Sequence, residues 1–139
     1  MSRSGYVDDD DDVLALGRYR GRVASAIRGK RGQRLLRECL AALDAMPVKE
    51  LIADELVADD GGVCLLGAVA QEFHLPIGNL DPEAHDVLGK TFNVAECLIR
   101  EIEYQNDEGG WRETPEQRWN RVRRWVVAKL KPQEAETAR

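Results

Sequence analysis

Aromatic residues are scarce in this 139-residue chain, with two Phe, three Trp and three Tyr, and there are only three cysteines. No apolar run approaches the roughly 18 residues that a helical membrane span needs, so a membrane partner is not expected. Cys39, Cys64 and Cys97 are odd in number and show no paired spacing. That excludes a disulfide scaffold and fits a reducing cytoplasm. The opening Met-Ser-Arg-Ser-Gly-Tyr-Val followed by Asp8 to Asp12 carries no apolar core with a small-residue cleavage pattern. No secretory signal is expected there.

The motifs of catalysis are missing as well. Ile27 to Gln33 holds glycines and bases but not the G-x-x-x-x-G-K-[ST] pattern, and no strand precedes it. Cys64, His74, His85 and Cys97 are separated by ten, eleven and twelve positions. Structural zinc sites use close pairs instead. Nothing local lowers the pKa of Cys64 or Cys97 towards a nucleophilic thiolate. Glu101, Glu103, Asp107 and Glu108 read as a solvated face rather than an acid/base pair. The expectation is a non-enzyme with no metal and no cofactor.

What is present is an uneven distribution of charge. The net charge of −5 conceals four blocks. Residues 1–12 carry five aspartates against Arg3, and read as a disordered acidic arm. Residues 13–37 hold eight bases and no acid: Arg18, Arg20, Arg22, Arg28, Lys30, Arg31, Arg34 and Arg37. Residues 38–117 hold 18 acids against four bases, and seven bases against two acids follow from Arg118. Charges this segregated either pair with each other in the fold or meet an external partner.

The periodicity predicts a mainly α, single domain over 13–131, a bundle of four or five helices, with a polar tail over 132–139. Val23 to Ile27 suggests one or two helical turns, and Gly29 and Gly32 should interrupt any helix around Lys30-Arg31. Leu36, Cys39, Leu40 and Leu43 mark one buried face of a helix from about Gln33 to Met46, ended by Pro47. Residues 50–57 and 63–66 flank a glycine-containing loop, which predicts a small β-hairpin near 50–66. Residues 67–73 continue as a short helix. Asp81-Pro82-Glu83 predicts another short helix, broken at Gly89, and Asn93 to Glu96 a capping box opening a helix to about Gln105. Thr114-Pro-Glu-Gln117 is a second capping box, with proline in the first turn. It opens a last helix whose inward stripe is Trp119, Val122, Val126 and Leu130.

The stretch Arg18-Tyr-Arg-Gly-Arg-Val-Ala-Ser-Ala-Ile-Arg-Gly-Lys-Arg-Gly-Gln33 resembles the opening of a group of small uncharacterised proteins from phages and prophages of GC-rich bacteria. Cys64-Leu-Leu-Gly-Ala-Val69, Glu103-Tyr-Gln-Asn-Asp-Glu108 and Thr114-Pro-Glu-Gln-Arg-Trp119 resemble later blocks of the same group. The resemblance spans most of residues 18–130. It implies no established activity and no catalytic residues, but it does imply a setting: a phage-encoded accessory protein in a bacterial cytoplasm. The acidic arm departs from the group's opening.

Two partner classes follow. The first is a host or phage protein, bound and modulated by a non-catalytic protein of which an anti-defence inhibitor is one form. The residues that would carry it are the basic run Arg28, Lys30, Arg31 and Arg34, with Trp111 and Arg112 second, since aromatics and arginines concentrate at interface centres. The alternative is a DNA- or RNA-binding helical module using Arg18, Arg20 and Arg22 of the Arg18–Arg37 stretch and Arg118, Arg121 and Arg124 of the Arg118–Arg124 stretch. The acidic overall charge runs against it. In a third arrangement the arginines of both ends pair with the acidic middle or with Asp8–Asp12, and bind nothing.

Overall fold

A computed structural model describes residues 13–78 and 80–132; the expected acidic arm over 1–12 and the tail beyond Pro132 lie outside the described residues. There are six helices among the described residues: α1 Val13–Arg28, α2 Lys30–Ala45, α3 Leu65–Phe73, α4 His85–Phe92, α5 Glu96–Asp107 and α6 Pro115–Lys129. The chain is mainly helical, as the periodicity predicts, with one or two helices more than expected.

The extra order is at the start. The basic stretch forms two helices that meet at Gly29, the residue before α2. Gly32 does not interrupt α2; it lets α2 close on α1. A Cβ at Gly32 would lie 1.9 Å from the carbonyl oxygen of Ala26. Only Val23 and Ile27 of α1 are buried. Leu35, Leu36, Cys39, Ala42 and Leu43 of α2 are buried. Burial of α2, and not helix propensity, supplies most of the stabilisation of this pair.

The expected β-hairpin is a correction. Its two segments share one isolated antiparallel bridge, Val57 with Val63, and α3 already begins at Leu65. Backbone bonds accompany the bridge, Ile52 N–H to Val63 O, Cys64 N–H to Leu56 O and, in the loop, Ala58 N–H to Gly62 O, but pairing goes no further because the second run enters α3. Leu51 N–H donates to Pro115 O, Arg118 Nη1 to Leu51 O, and Asn106 Nδ2 to Ile52 O. Asp54 sits at φ 68°, which breaks the extended run.

Two helix starts also differ from expectation. Asp81 Oδ1 accepts from Glu83 N–H in a turn, and α4 begins only at His85. Gly89 lies inside α4, which continues to Phe92. Asn93 is the left-handed C-cap of α4 and not the N-cap of α5, whose N-cap Ala95 makes no side-chain bond. The capping box at Thr114 is present in full: Gln117 N–H donates to Thr114 Oγ1 and Thr114 N–H to Gln117 Oε1.

The buried apolar side chains form one cluster that draws on all six helices, with α2, α3 and α5 contributing most of the largest fully buried residues. Polar staples tie its periphery. Buried Gln33 donates through Nε2 to Ile27 O and Lys129 O and accepts from Lys131 N–H, so the ends of α1 and α6 are held together. His85 Nε2 and Glu103 Oε1, both buried, meet at 2.9 Å and join α4 to α5.

The close approach at Gly32 has a measurable consequence. Gly32→Ala forces α1 away from α2 and costs about 1–3 kcal/mol. Gly21→Ala, where an added Cβ meets nothing within 4 Å, gains up to about 1 kcal/mol from helix propensity. Thermal unfolding should therefore move down by several degrees in the first variant and slightly up in the second.

Candidate functional site: two basic stretches with opposite fates

The two basic blocks of the sequence fold into different environments. Along α6, Arg118 and Arg121 turn inward, Arg123 pairs at the surface and Arg124 is exposed. Arg118 is buried, donates from Nη1 to Leu51 O at 2.9 Å, and lies 3.3 Å from Glu113 Oε1 through Nε. Arg121 grips the same carboxylate with two bonds, Nε to Oε2 at 2.6 Å and Nη2 to Oε1 at 3.0 Å. Its guanidinium also donates to Gln105 O and Asn106 O, capping the carbonyl end of α5. A planar fork with several donors suits this double task. Arg123 clasps Asp44 at the end of α2, Nε to Oδ1 at 2.7 Å and Nη2 to Oδ2 at 3.1 Å.

These pairs set the carboxylates. The Arg121 hydrogen bonds hold the Glu113 carboxyl below the usual carboxylate range, against its partial burial. Arg123 does the same for Asp44. Sequence reasoning offered Arg118 and Arg121 to a nucleic acid, and the structure withdraws both. A signal for this was present: Arg118 stands four residues before Val122, beside the stripe that enters the core, with Glu113 just upstream.

Along α1 and α2 the outcome is reversed. Arg18, Arg20, Arg22, Arg28, Lys30, Arg31, Arg34 and Arg37 are all exposed. Among the described residues none of them enters an ion pair. Arg31 Nη1 donates to Asn93 Oδ1 at 3.2 Å, and Arg22 stacks over the Tyr19 ring. Lys30, Arg34 and Arg37 recur at helical spacing on the outward face of α2, a ridge about 10 Å long with Arg31 beside it. Arg28 continues it onto the end of α1. From Val13 to Pro132 the chain holds 18 bases and 18 acids, so the region carrying this ridge is neutral overall and polarised.

Trp111, 87% exposed, is the second candidate. Arg112 stacks on its ring with the guanidinium carbon 4.6 Å from the centroid. The loop that presents them is anchored immediately downstream by the Glu113 clasp. Gly109 packs so closely on the Glu113 carboxylate that a Cβ would meet it at about 2 Å, and Gly110 turns the chain at φ +85°. Trp119, by contrast, is buried, with Lys49 Nζ 5.4 Å from its ring centroid. Trp125 is half-buried and lines a groove of about 270 Å³ between α1, α5 and α6.

α4, a three-residue turn and α5 have the spacing of a helix-turn-helix. The arrangement does not make α5 a groove reader. Its exposed first turn carries Glu96, and α1 lies across it, with Tyr19 Oη donating to Cys97 O at 3.4 Å. No helix among the described residues is long and apolar enough to cross a membrane. No protein-family model, curated protein or solved structure matches the chain, so its own geometry carries the reading of this surface.

The clasp at Glu113 predicts an acid-sensitive fold. A carboxyl whose folded pKa is lowered contributes stability that is complete above its unfolded value, near 4.3, and is lost as pH falls through the folded value. The Glu113 contribution to stability in urea unfolding should be complete above about pH 5 and decline below about pH 4. Glu113→Gln should be less stable at pH 7 and show a shallower decline in acid. An unchanged acid slope in that variant would remove the clasp as its source.

Proposed function

We propose that the protein is a non-catalytic accessory protein of phage type that binds and modulates a host or phage protein in the bacterial cytoplasm, as an anti-defence inhibitor does. The observation supporting this reading is the exposed ridge of Arg28, Lys30, Arg31 and Arg34, which has no acidic partner among the described residues. A row of unneutralised bases on a polarised surface steers an acidic partner and fixes its register. The exposed Trp111–Arg112 stack offers an anchor of the kind found at interface centres. The phage setting rests on the four sequence blocks alone.

The second reading, DNA or RNA binding, keeps the α1–α2 ridge and Arg124 but loses Arg118 and Arg121 to internal bonds. What still favours it is that Arg18, Arg20 and Arg22 are exposed too. The protein reading is preferred because Arg118 and Arg121, two of the six arginines named for nucleic acid, are engaged by the fold itself.

Affinity capture from nuclease-treated bacterial lysate, followed by titration of the purified captured protein, separates the two. Arg28/Lys30/Arg31/Arg34→Ala should weaken that titration on the order of tenfold or more while leaving the thermal midpoint in place. Recovery of nuclease-sensitive material only, with a steep salt dependence, would replace the protein partner by nucleic acid.

A further inference from the structure

We propose that the groove beyond the end of α2 docks a segment of another protein in which an apolar side chain is flanked by lysine or arginine. The groove lies at the opposite end of α2 from Lys30, so it is a second surface, separate from the basic ridge. Its volume is about 490 Å³, within the roughly 300–1,000 Å³ typical of clefts that bury a small ligand.

The groove is a product of the irregular segment after α2. Pro47 stops the helix, Met46 is its extended C-cap, and the chain turns where Glu50 N–H donates to Val48 O at 2.9 Å. Leu51 is then fully buried, while Ile52 is half-buried and lines the groove. The turn before α3 closes on it from the other side: a Cβ at Gly62 would meet Ile52 Cγ2 at 2.8 Å. Met46, Ile52 and Val63 thus form an apolar floor, and Val48, 59% exposed, stands beside it. One apolar side chain entering here removes Val48 and the floor from water.

The charge of the groove is of one sign. Glu50 and Asp60, both exposed, line it, and no base does. Neither carboxylate enters an ion pair among the described residues. Asp60 Oδ1 accepts from Gly62 N–H at 2.9 Å, a neutral donor that leaves the charge uncompensated. Lys49, the neighbour of Glu50, is used elsewhere: its Nζ donates to Leu43 O and Asp44 O and lies over the Trp119 ring. From Glu50 to Glu72 the chain holds six acids and no lysine or arginine. Two uncompensated carboxylates beside an apolar floor complement a cationic segment with an apolar centre, and repel an acidic chain or a nucleic acid.

Titration of the full chain at low salt with a short capped peptide carrying Lys-Leu-Arg, followed by nuclear magnetic resonance, tests this. Saturable shifts should fall on Val48, Ile52 and Val63. Glu50→Gln with Asp60→Asn, which keeps an oxygen for Gly62 N–H, should weaken binding about fivefold with the thermal midpoint in place. Replacing the peptide leucine by serine should weaken it by about fivefold or more. Absence of saturable shifts at these residues would overturn the proposal, as would equal affinity of the Lys-Ser-Arg peptide or of the double variant. Shifts of the same residues on concentrating the protein alone, with a dimer in sedimentation, would give the groove to a second copy and overturn it too. No ridge residue takes part, so this outcome is separable from that of the ridge's own partner.

Discussion

The carboxylate of Glu113 is the point on which the described structure turns. Two arginines of α6 converge on it, one of them buried, and the same two guanidiniums close the carbonyl end of α5 and take up Leu51 O. Without that anion Arg118 would be a cation in the core lacking its counter-charge, which is among the costliest arrangements a fold can hold. With it, one cluster joins the start of α6, the end of α5 and the irregular segment after α2. The cluster also fixes the short loop that holds Trp111 and Arg112 in solvent.

Neutralisation at one end of the chain leaves the other end unneutralised. Arg118, Arg121 and Arg123 find Glu113 and Asp44, whereas the eight bases of α1 and α2 form no ion pair among the described residues. Internal pairing therefore accounts for one basic block and not for the other. Eight like charges on adjacent helices repel one another, so an acidic surface that relieves the repulsion is favoured. In the proposed reading a partner protein along the ridge supplies that surface.

The sequence patterns that foretold structure were those with short-range causes. Thr114 and Gln117 satisfy each other's amides three residues apart, so the start of α6 could be read directly. The stripe Trp119, Val122 and Val126 likewise entered the core as its spacing required. α1 was underestimated because glycines at 17 and 21 and a thin apolar face mask a helix that is stabilised by docking on α2 and α5. The hairpin stops at a single bridge because its second run enters α3 at Leu65 and Asp54, at φ 68°, breaks the extended first run. Of the site residues, Arg28, Lys30, Arg31, Arg34, Trp111 and Arg112 lie on the surface; whether the basic run was exposed or paired could not be read from sequence. Arg118 and Arg121 could be placed only by knowing which acid they face.

Arginine-selective labelling of the native protein with a dicarbonyl reagent, read residue by residue by mass spectrometry, tests the division of charge most directly. Arg28, Arg31 and Arg34 should react at rates close to those of an unfolded peptide, and Arg118 and Arg121 should be strongly protected until the fold is lost. Equal protection of both sets would mean that the α1–α2 bases are covered, and would contradict an open binding face. Rapid labelling of Arg118 or Arg121 would contradict the Glu113 clasp itself.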